Sequence, residues 1–212
     1  MELRRFDFMD RLIGEIDRAI KVLTVPAPAA GQLSATPDLT SLPDPDRIQS
    51  SRLMRVNHAG EVAAQALYQG QALTARSETV KAAMQQSAAE EADHLAWCEQ
   101  RLGELDGRTS LLNPLWYAGS FALGAAAGAL GDRVSLGFVA ETEHQVESHL
   151  SKHLERLSPH DSRSRAILER MQHDEMRHGE NAASLGGGKL PLPASVAMRA
   201  ASKLMTFGSY WI

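Results

Sequence analysis

At 212 residues with a formal net charge of −4, the chain suits one domain with a substantial core plus appendages, and no Lys/Arg run suggests nucleic-acid binding. The single cysteine, Cys98, excludes an internal disulfide and fits a reducing compartment. Aromatics are scarce (three Trp, three Tyr, five Phe) while Ala, Leu, Glu, Gln and Arg abound, a balance that favours helix.

Residues 5–24 set Met9, Leu12, Ile13, Ile16, Ile20 and Leu23 on one helical stripe, so residues 1–24 read as an N-terminal amphipathic helix. The N-terminus lacks the charged-then-apolar pattern of a secretory signal, and Asp7, Asp10, Glu15 and Asp17 argue against an acid-poor transit peptide. A cytoplasmic protein of bacterial type is the simplest reading. Residues 25–47 hold five of the nine prolines (Pro26, Pro28, Pro37, Pro43, Pro45) and read as a linker. Residues 48–190 then read as a bundle of four long helices, 48–76, 78–104, 132–157 and 161–185, the last ended by Gly186-Gly187-Gly188. No alternating run long enough for a strand occurs, so the fold class is all-α.

Between the second and third of these helices, Thr109 to Gly131 is 23 residues without a formal charge. Its length suits a transmembrane span, but Asn113, Pro114 and the small Gly and Ser positions dilute it. A long apolar crossover between two helix pairs is the better expectation, able also to lie against a membrane or line an apolar ligand's entry. Residues 191–212 mix Val196, Met198, Leu204, Met205, Phe207, Tyr210, Trp211 and Ile212 with Arg199 and Lys203. That mixture suits an interfacial amphipathic segment or a packed C-terminal helix equally well.

Chemistry enters through a repeat. Glu61 is followed 30 residues later by Glu91-Ala92-Asp93-His94, and Glu143 is followed 32 residues later by Glu175-Met176-Arg177-His178. Four carboxylates and two imidazoles in this order are what a carboxylate-bridged two-metal site in a helix bundle requires: one Glu from each of two helices, and Glu-x-x-His from each of the others. At 100° per residue, Glu143 lies on the stripe of Val139, Val146, Leu150, Leu154 and Leu157, whereas Glu141 lies opposite, making Glu141-Thr142-Glu143-His144 a surface decoy. On the second helix Glu91 sits within the stripe of Met84, Ala88, Leu95, Cys98 and Leu102, with His94 at its edge and Glu90 pointing away. On the fourth, Ile167, Met171, His178, Ala182 and Leu185 align, with Glu175 at the edge and Asp174 facing in. On the first, Glu61 and Tyr68 share the flank of a seam of Leu53, Gly60, Ala64, Leu67 and Gln71.

Bare buried carboxylates on four helices would cost several kcal/mol each, a penalty that two divalent cations remove. Hard oxygen-rich ligation with two imidazoles suits Fe(II) or Mn(II) better than structural zinc. The expected division gives Glu61 and His94 to one ion and Glu143 and His178 to the other, with Glu91 and Glu175 bridging. Asp174 is expected to accept the free N–H of His94, or else to pair with Arg170 or Arg177. Tyr68 either hydrogen-bonds near the site or is a plain core tyrosine.

Asn57-His58-Ala59-Gly60-Glu61, Ala66-Leu67-Tyr68-Gln69-Gly70-Gln71, Glu91-Ala92-Asp93-His94-Leu95 and Asp174-Glu175-Met176-Arg177-His178 resemble the demethoxyubiquinone hydroxylase family. Asp132–Ala140 and His94–Gln100 look like its bacterial branch, and the resemblance runs from about Leu53 to Leu185. It implies a ferritin-like four-helix bundle, two Fe ions per chain on the six ligands just named, and an O2-dependent monooxygenase of ubiquinone biosynthesis. It implies as partners a polyprenyl quinone substrate, O2, the inner-leaflet membrane surface, and a reductant or other ubiquinone-biosynthesis proteins, with a homo-oligomer left open. The place implied is the cytoplasmic face of the bacterial cell membrane, peripherally, with Leu112, Leu115, Trp116, Phe121 and Leu123 as candidate contacts with the bilayer or the substrate tail. No Gly-x-Gly-x-x-Gly occurs, so electrons come from the substrate, a docking reductant or a partner. Three rivals stand: a ferritin-like ferroxidase for iron storage, peroxide disproportionation at two manganese ions, and a metal-free membrane scaffold.

Overall fold

The structure, a computed structural model, is described for residues 8–27 and 42–212. Among the described residues the elements are all helical: α1 (Phe8–Thr24), α2 (Asp44–Thr74), α3 (Glu78–Glu104), α4 (Asn113–Ala129), α5 (Asp132–Arg156), α6 (Ser162–Ser184) and α7 (Leu192–Trp211). The four predicted long helices are α2, α3, α5 and α6. Residues 1–7 of the expected N-terminal helix and 28–41 of the expected linker lie outside the described residues.

The boundary at 47 moves. Asp44–Arg47, read as linker, is the first turn of α2, which Pro43 precedes and Pro45 enters. Proline is accommodated there because first-turn N–H groups have no intrahelical acceptor and its φ already suits a helix.

The apolar stretch 109–131 is also more ordered than a plain connection, since most of it is α4. This helix lies along α2 in the same direction, Asn113 meeting His58 and Ala125 meeting Thr74. The contact is close enough that a Cβ on Gly124 would run into the Leu67 carbonyl oxygen and one on Gly70 into that of Phe121. The small residues that dilute the segment as a span are therefore what lets two backbones touch. No described helix is long and apolar enough to cross a membrane.

Helix α2 is central: α3, α4, α5, α7 and α1 all contact it. Its buried residues accordingly fall on every side rather than on one stripe. The bundle core is divided in two. Leu53, Met54, Cys98, Leu102, Leu150, Ile167, Leu168 and Met171 fill one end, and Tyr68, Ala72, Val80, Met84, Leu136, Val139 and Ala182 the other. Between the two apolar clusters lies an acidic layer.

Candidate metal centre

That layer is made by the repeat. Glu61 of α2, Glu91 and His94 of α3, Glu143 of α5, and Glu175 and His178 of α6 are all buried, none more than 4% exposed. Antiparallel packing of α2 on α5 and of α3 on α6 brings the mid-points of the four helices level. The i, i+3 spacing of each Glu-x-x-His then aims both of its side chains at the bundle axis.

Each imidazole turns Nδ1 inward. His94 Nδ1 lies 2.9 Å from Glu91 Oε2, 3.3 Å from Glu175 Oε1 and 3.6 Å from Glu61 Oε2. His178 Nδ1 lies 3.2 Å from Glu91 Oε1 and 3.3 Å from Glu175 Oε2. Glu91 and Glu175 thus each present one oxygen to each histidine. Two sets of donor atoms result, Glu61, Glu91, His94 and Glu175, and Glu91, Glu143, Glu175 and His178, each with its atoms within 4.8 Å of one another. The shared members are the two glutamates expected to bridge.

The electrostatics fit a missing positive charge. Glu61 Oε2 and Glu91 Oε1 are buried and accept no well-aligned hydrogen bond, their nearest imidazole nitrogens standing at 3.6 and 3.2 Å, an arrangement that is costly unless a cation meets them. Burial pushes the Glu61 and Glu143 carboxyls well above the usual range, and neighbouring carboxylates add to it. Burial opposes charge on the histidines too, yet the surrounding carboxylates outweigh it, holding His94 well above its ordinary value and His178 at about 11. Without metal, protons supply the compensating charge. The donor set is therefore suited to two hard divalent ions, with carboxylate oxygens outnumbering nitrogen donors and no sulfur.

The outward ring nitrogens are also occupied. His94 Nε2 lies 3.3 Å from Asp174 Oδ2, whose side chain is further held by Arg170 Nε at 2.8 Å and Arg177 at 3.3 Å. Both sequence expectations for Asp174 coexist in this geometry. Burial works against its charge, but the bonds from His94 and Arg170 keep its carboxyl below the usual range. His178 Nε2 lies 2.6 Å from Glu90 Oε2, which also accepts from Arg177 Nη2 at 3.1 Å.

Glu90 is the correction here. It does not point away: the flank of α3 it occupies meets α6, and its half-buried side chain reaches His178 and Arg177 there. The sequence signal was the acid preceding the bridging glutamate in both repeats, Glu90-Glu91 and Asp174-Glu175, each serving the histidine of the other repeat. Tyr68 is fully buried and donates its hydroxyl to Glu143 Oε1. The decoy motif is confined to the surface at its histidine, since the His144 side chain is 68% exposed. Leu185, expected on the inner stripe, is 42% exposed, because α6 ends at Ser184.

A family model described as ubiquinone biosynthesis protein COQ7 matches residues 48–209. The chain belongs to the COQ7 family. Similar relatives of this COQ7-family chain include the 3-demethoxyubiquinol 3-hydroxylase of Ralstonia pickettii (strain 12J), 54% identical over 96% of this chain and 100% of that protein. The proteins of the same name from Burkholderia cenocepacia (strain HI2424) and Burkholderia multivorans (strain ATCC 17616 / 249) are 55% and 54% identical, again over 96% of this chain and 99% of theirs.

Proposed function

We propose that this chain is an O2-dependent 3-demethoxyubiquinol 3-hydroxylase of ubiquinone biosynthesis that holds a pair of iron ions on the six residues of the acidic layer. The observation that carries the reading is that Glu91 and Glu175 each offer one oxygen to each histidine, inside a chain of this family. When bound, the iron pair supplies the reduction of O2 that puts one oxygen atom on the quinol ring and releases the other as water. Electrons come from the quinol itself or from a docking reductant, as the chain carries no dinucleotide-binding glycine motif. Iron storage has no support beyond a shared ligand set.

The chain's own residues set the conditions for that chemistry. Asp174 and Glu90 keep the protons of His94 and His178 at Nε2, so that both Nδ1 lone pairs face inward. Tyr68 fixes the rotamer of Glu143 through its hydroxyl. Arg177, bonded to both Asp174 and Glu90, ties the two outer carboxylates together. The two apolar clusters exclude bulk water from above and below the layer.

A polyprenyl substrate resides in a bilayer, and the enzyme works peripherally at the cytoplasmic face of the cell membrane. Support comes from neighbouring helices that expose apolar side chains: Met9, Ile13, Ile16 and Ile20 on α1, Leu115 and Leu123 on α4, and Leu204, Phe207 and Trp211 on α7. Helix α4 lies between the other two, Tyr117 and Phe121 packing with Ala19, Val22 and Leu23 of α1, and Trp116 Nε1 donating to Ser209 of α7 at 3.0 Å. Of the five candidate contacts, Leu115 and Leu123 are open to a lipid, while Trp116, Leu112 and Phe121 are partly packed.

The test is anaerobic: load with Fe(II), count metal per chain, admit ¹⁸O2 with and without a demethoxyquinol, and analyse the quinone by mass spectrometry. A product heavier by one labelled oxygen atom is expected. Iron that mineralises while the quinol is untouched would overturn the reading.

A further inference from the structure

At the end of the bundle where α2 begins and α3 ends lies a cavity of about 340 Å³ with an unusual wall. Arg47, Arg52, Arg55 and Arg108 line it together with Ser51, and among the described residues of its wall Asp106 is the single carboxylate. Asp106 and Asp44 pair, among the described residues, with Arg47 alone, at 3.4 and 3.3 Å. Among the described residues, no carboxylate pairs with Arg52, Arg55 or Arg108. These three cations crowd one another, and burial followed by the charges of Arg108 and Arg52 pulls Arg55 below its ordinary pKa.

The crowding is built by the fold. Gly107 presses the α3–α4 loop onto α2 so closely that a Cβ there would run into Ser51 Oγ. Arg55 Nε donates to the Arg108 carbonyl oxygen at 2.9 Å, which fixes one edge of its guanidinium and leaves the terminal N–H groups unassigned. Arg52 stacks over Trp211 at 4.6 Å and Tyr210 at 5.5 Å, joining the cavity to the end of α7. Apolar surface is exposed here too: Ile48 of the wall at 45%, and Trp211 beneath Arg52 at 55%. In a chain of net charge −4, a concentrated cationic pocket bordering an apolar face calls for a ligand that is anionic at one end and apolar at the other.

We propose that this arginine cavity binds the phosphodiester of an anionic phospholipid headgroup, seating the protein on the bilayer beside the exposed face of α4 and α7. Guanidinium forks match phosphate oxygens in pairs, which ammonium groups do not. Cationic side chains and a tryptophan at the edge of an apolar face match the order of headgroup and acyl chain at a membrane surface. This inference rests on the membrane reading given above, and its test separates the two.

The full-length, iron-loaded protein is sedimented with phosphatidylcholine vesicles and with vesicles in which a fraction of the lipid is phosphatidylglycerol. Expected is tighter binding to the latter, with Arg52→Gln, Arg55→Gln and Arg108→Gln each removing on the order of fivefold of that preference. Lys81→Gln, at the far end of the bundle, should leave the preference unchanged, and Phe207→Ser should weaken binding to both vesicle types. Circular dichroism and metal content verify that each variant is folded. Arginine variants that bind phosphatidylglycerol vesicles as the parent does would overturn the cavity site and leave the membrane reading standing. Failure of the parent to bind either vesicle would sink both. Binding abolished equally by sub-millimolar inorganic phosphate or a soluble dinucleotide would reassign the cavity to a soluble phosphate ligand.

Discussion

At the scale of single residues, the proposed centre depends on side chains outside its six proposed ligands. Glu90 and Asp174 hold the two imidazoles from behind, and loss of such a support typically costs about 10–100-fold in metal affinity. Glu90→Gln should therefore retain the fold but bind Fe(II) or Co(II) that much more weakly, because an amide rotated to accept from Nε2 lacks the charge that raises the basicity of Nδ1. Competition with a chelator checks it, and unchanged affinity would make Glu90 merely an ion-pair partner of Arg177. The convergence of the six proposed ligands in one buried layer was legible in the sequence because their spacing is repeated and fits the period of a helix. Glu90 was not, because a helical projection shows which side of α3 it occupies but not that α6 covers that side.

Between elements, the α2–α4 contact makes the strongest demand on residue size. Gly124 and Gly119 are both glycines of α4, but a Cβ at Gly124 meets the Leu67 backbone while one at Gly119 meets nothing within 4 Å. Gly124→Ala should destabilise by about 1–3 kcal/mol through forced separation of the helices. Gly119→Ala should stabilise by roughly 0.5–1 kcal/mol through helix propensity. Urea melts of the two variants, side by side, decide whether the contact is as close as it stands here. The start of α6 offers a second case. Buried Asp161 Oδ1 accepts from Arg101 Nη2 at 2.7 Å and from the Ser164 N–H at 2.9 Å, so one oxygen both pairs a buried cation and caps the helix. Asp161→Ala should cost about 1–3 kcal/mol through the lost cap and the lost charged hydrogen bond, since Arg101 keeps Glu104 at 3.0 Å, and Asp161→Asn, which can keep the cap, should cost less. Periodicity and punctuation revealed the four bundle helices, but neither the helical state of α4 nor these contacts. Composition describes α4 as apolar and small without saying that its smallness serves another backbone, and nothing local to Arg101 signals a partner 60 residues on.

For the molecule as a whole, the proposed metal would compete with protons for the same layer, and the competition sets how the difference between loaded and metal-free protein depends on pH. In the metal-free fold His178 titrates at about 11, and His94 is likewise raised. A group whose folded pKa lies above its unfolded value contributes stability that is complete below the unfolded value, near 6.5 for histidine, and is lost as pH climbs toward the folded one. The raised Glu61 and Glu143 act in the same sense over their own range, so the contribution of these four groups to the metal-free fold declines as pH rises. His58, His149 and His153, held below their ordinary values by burial, act oppositely, but equally with and without metal, so they cancel in the difference between the two forms. Metal binding runs the other way, since ligation requires neutral imidazole and carboxylate, releases the protons, and tightens as pH rises. Bound metal adds stability by mass action in proportion to the logarithm of its occupancy ratio. The gap in Tm between loaded and metal-free protein should therefore widen from pH 6 to pH 8. Anaerobic Fe(II) addition in weak buffer should also acidify the solution. A gap that narrows over that range, or loading without proton release, would mean that protons do not hold the acidic layer together when metal is absent.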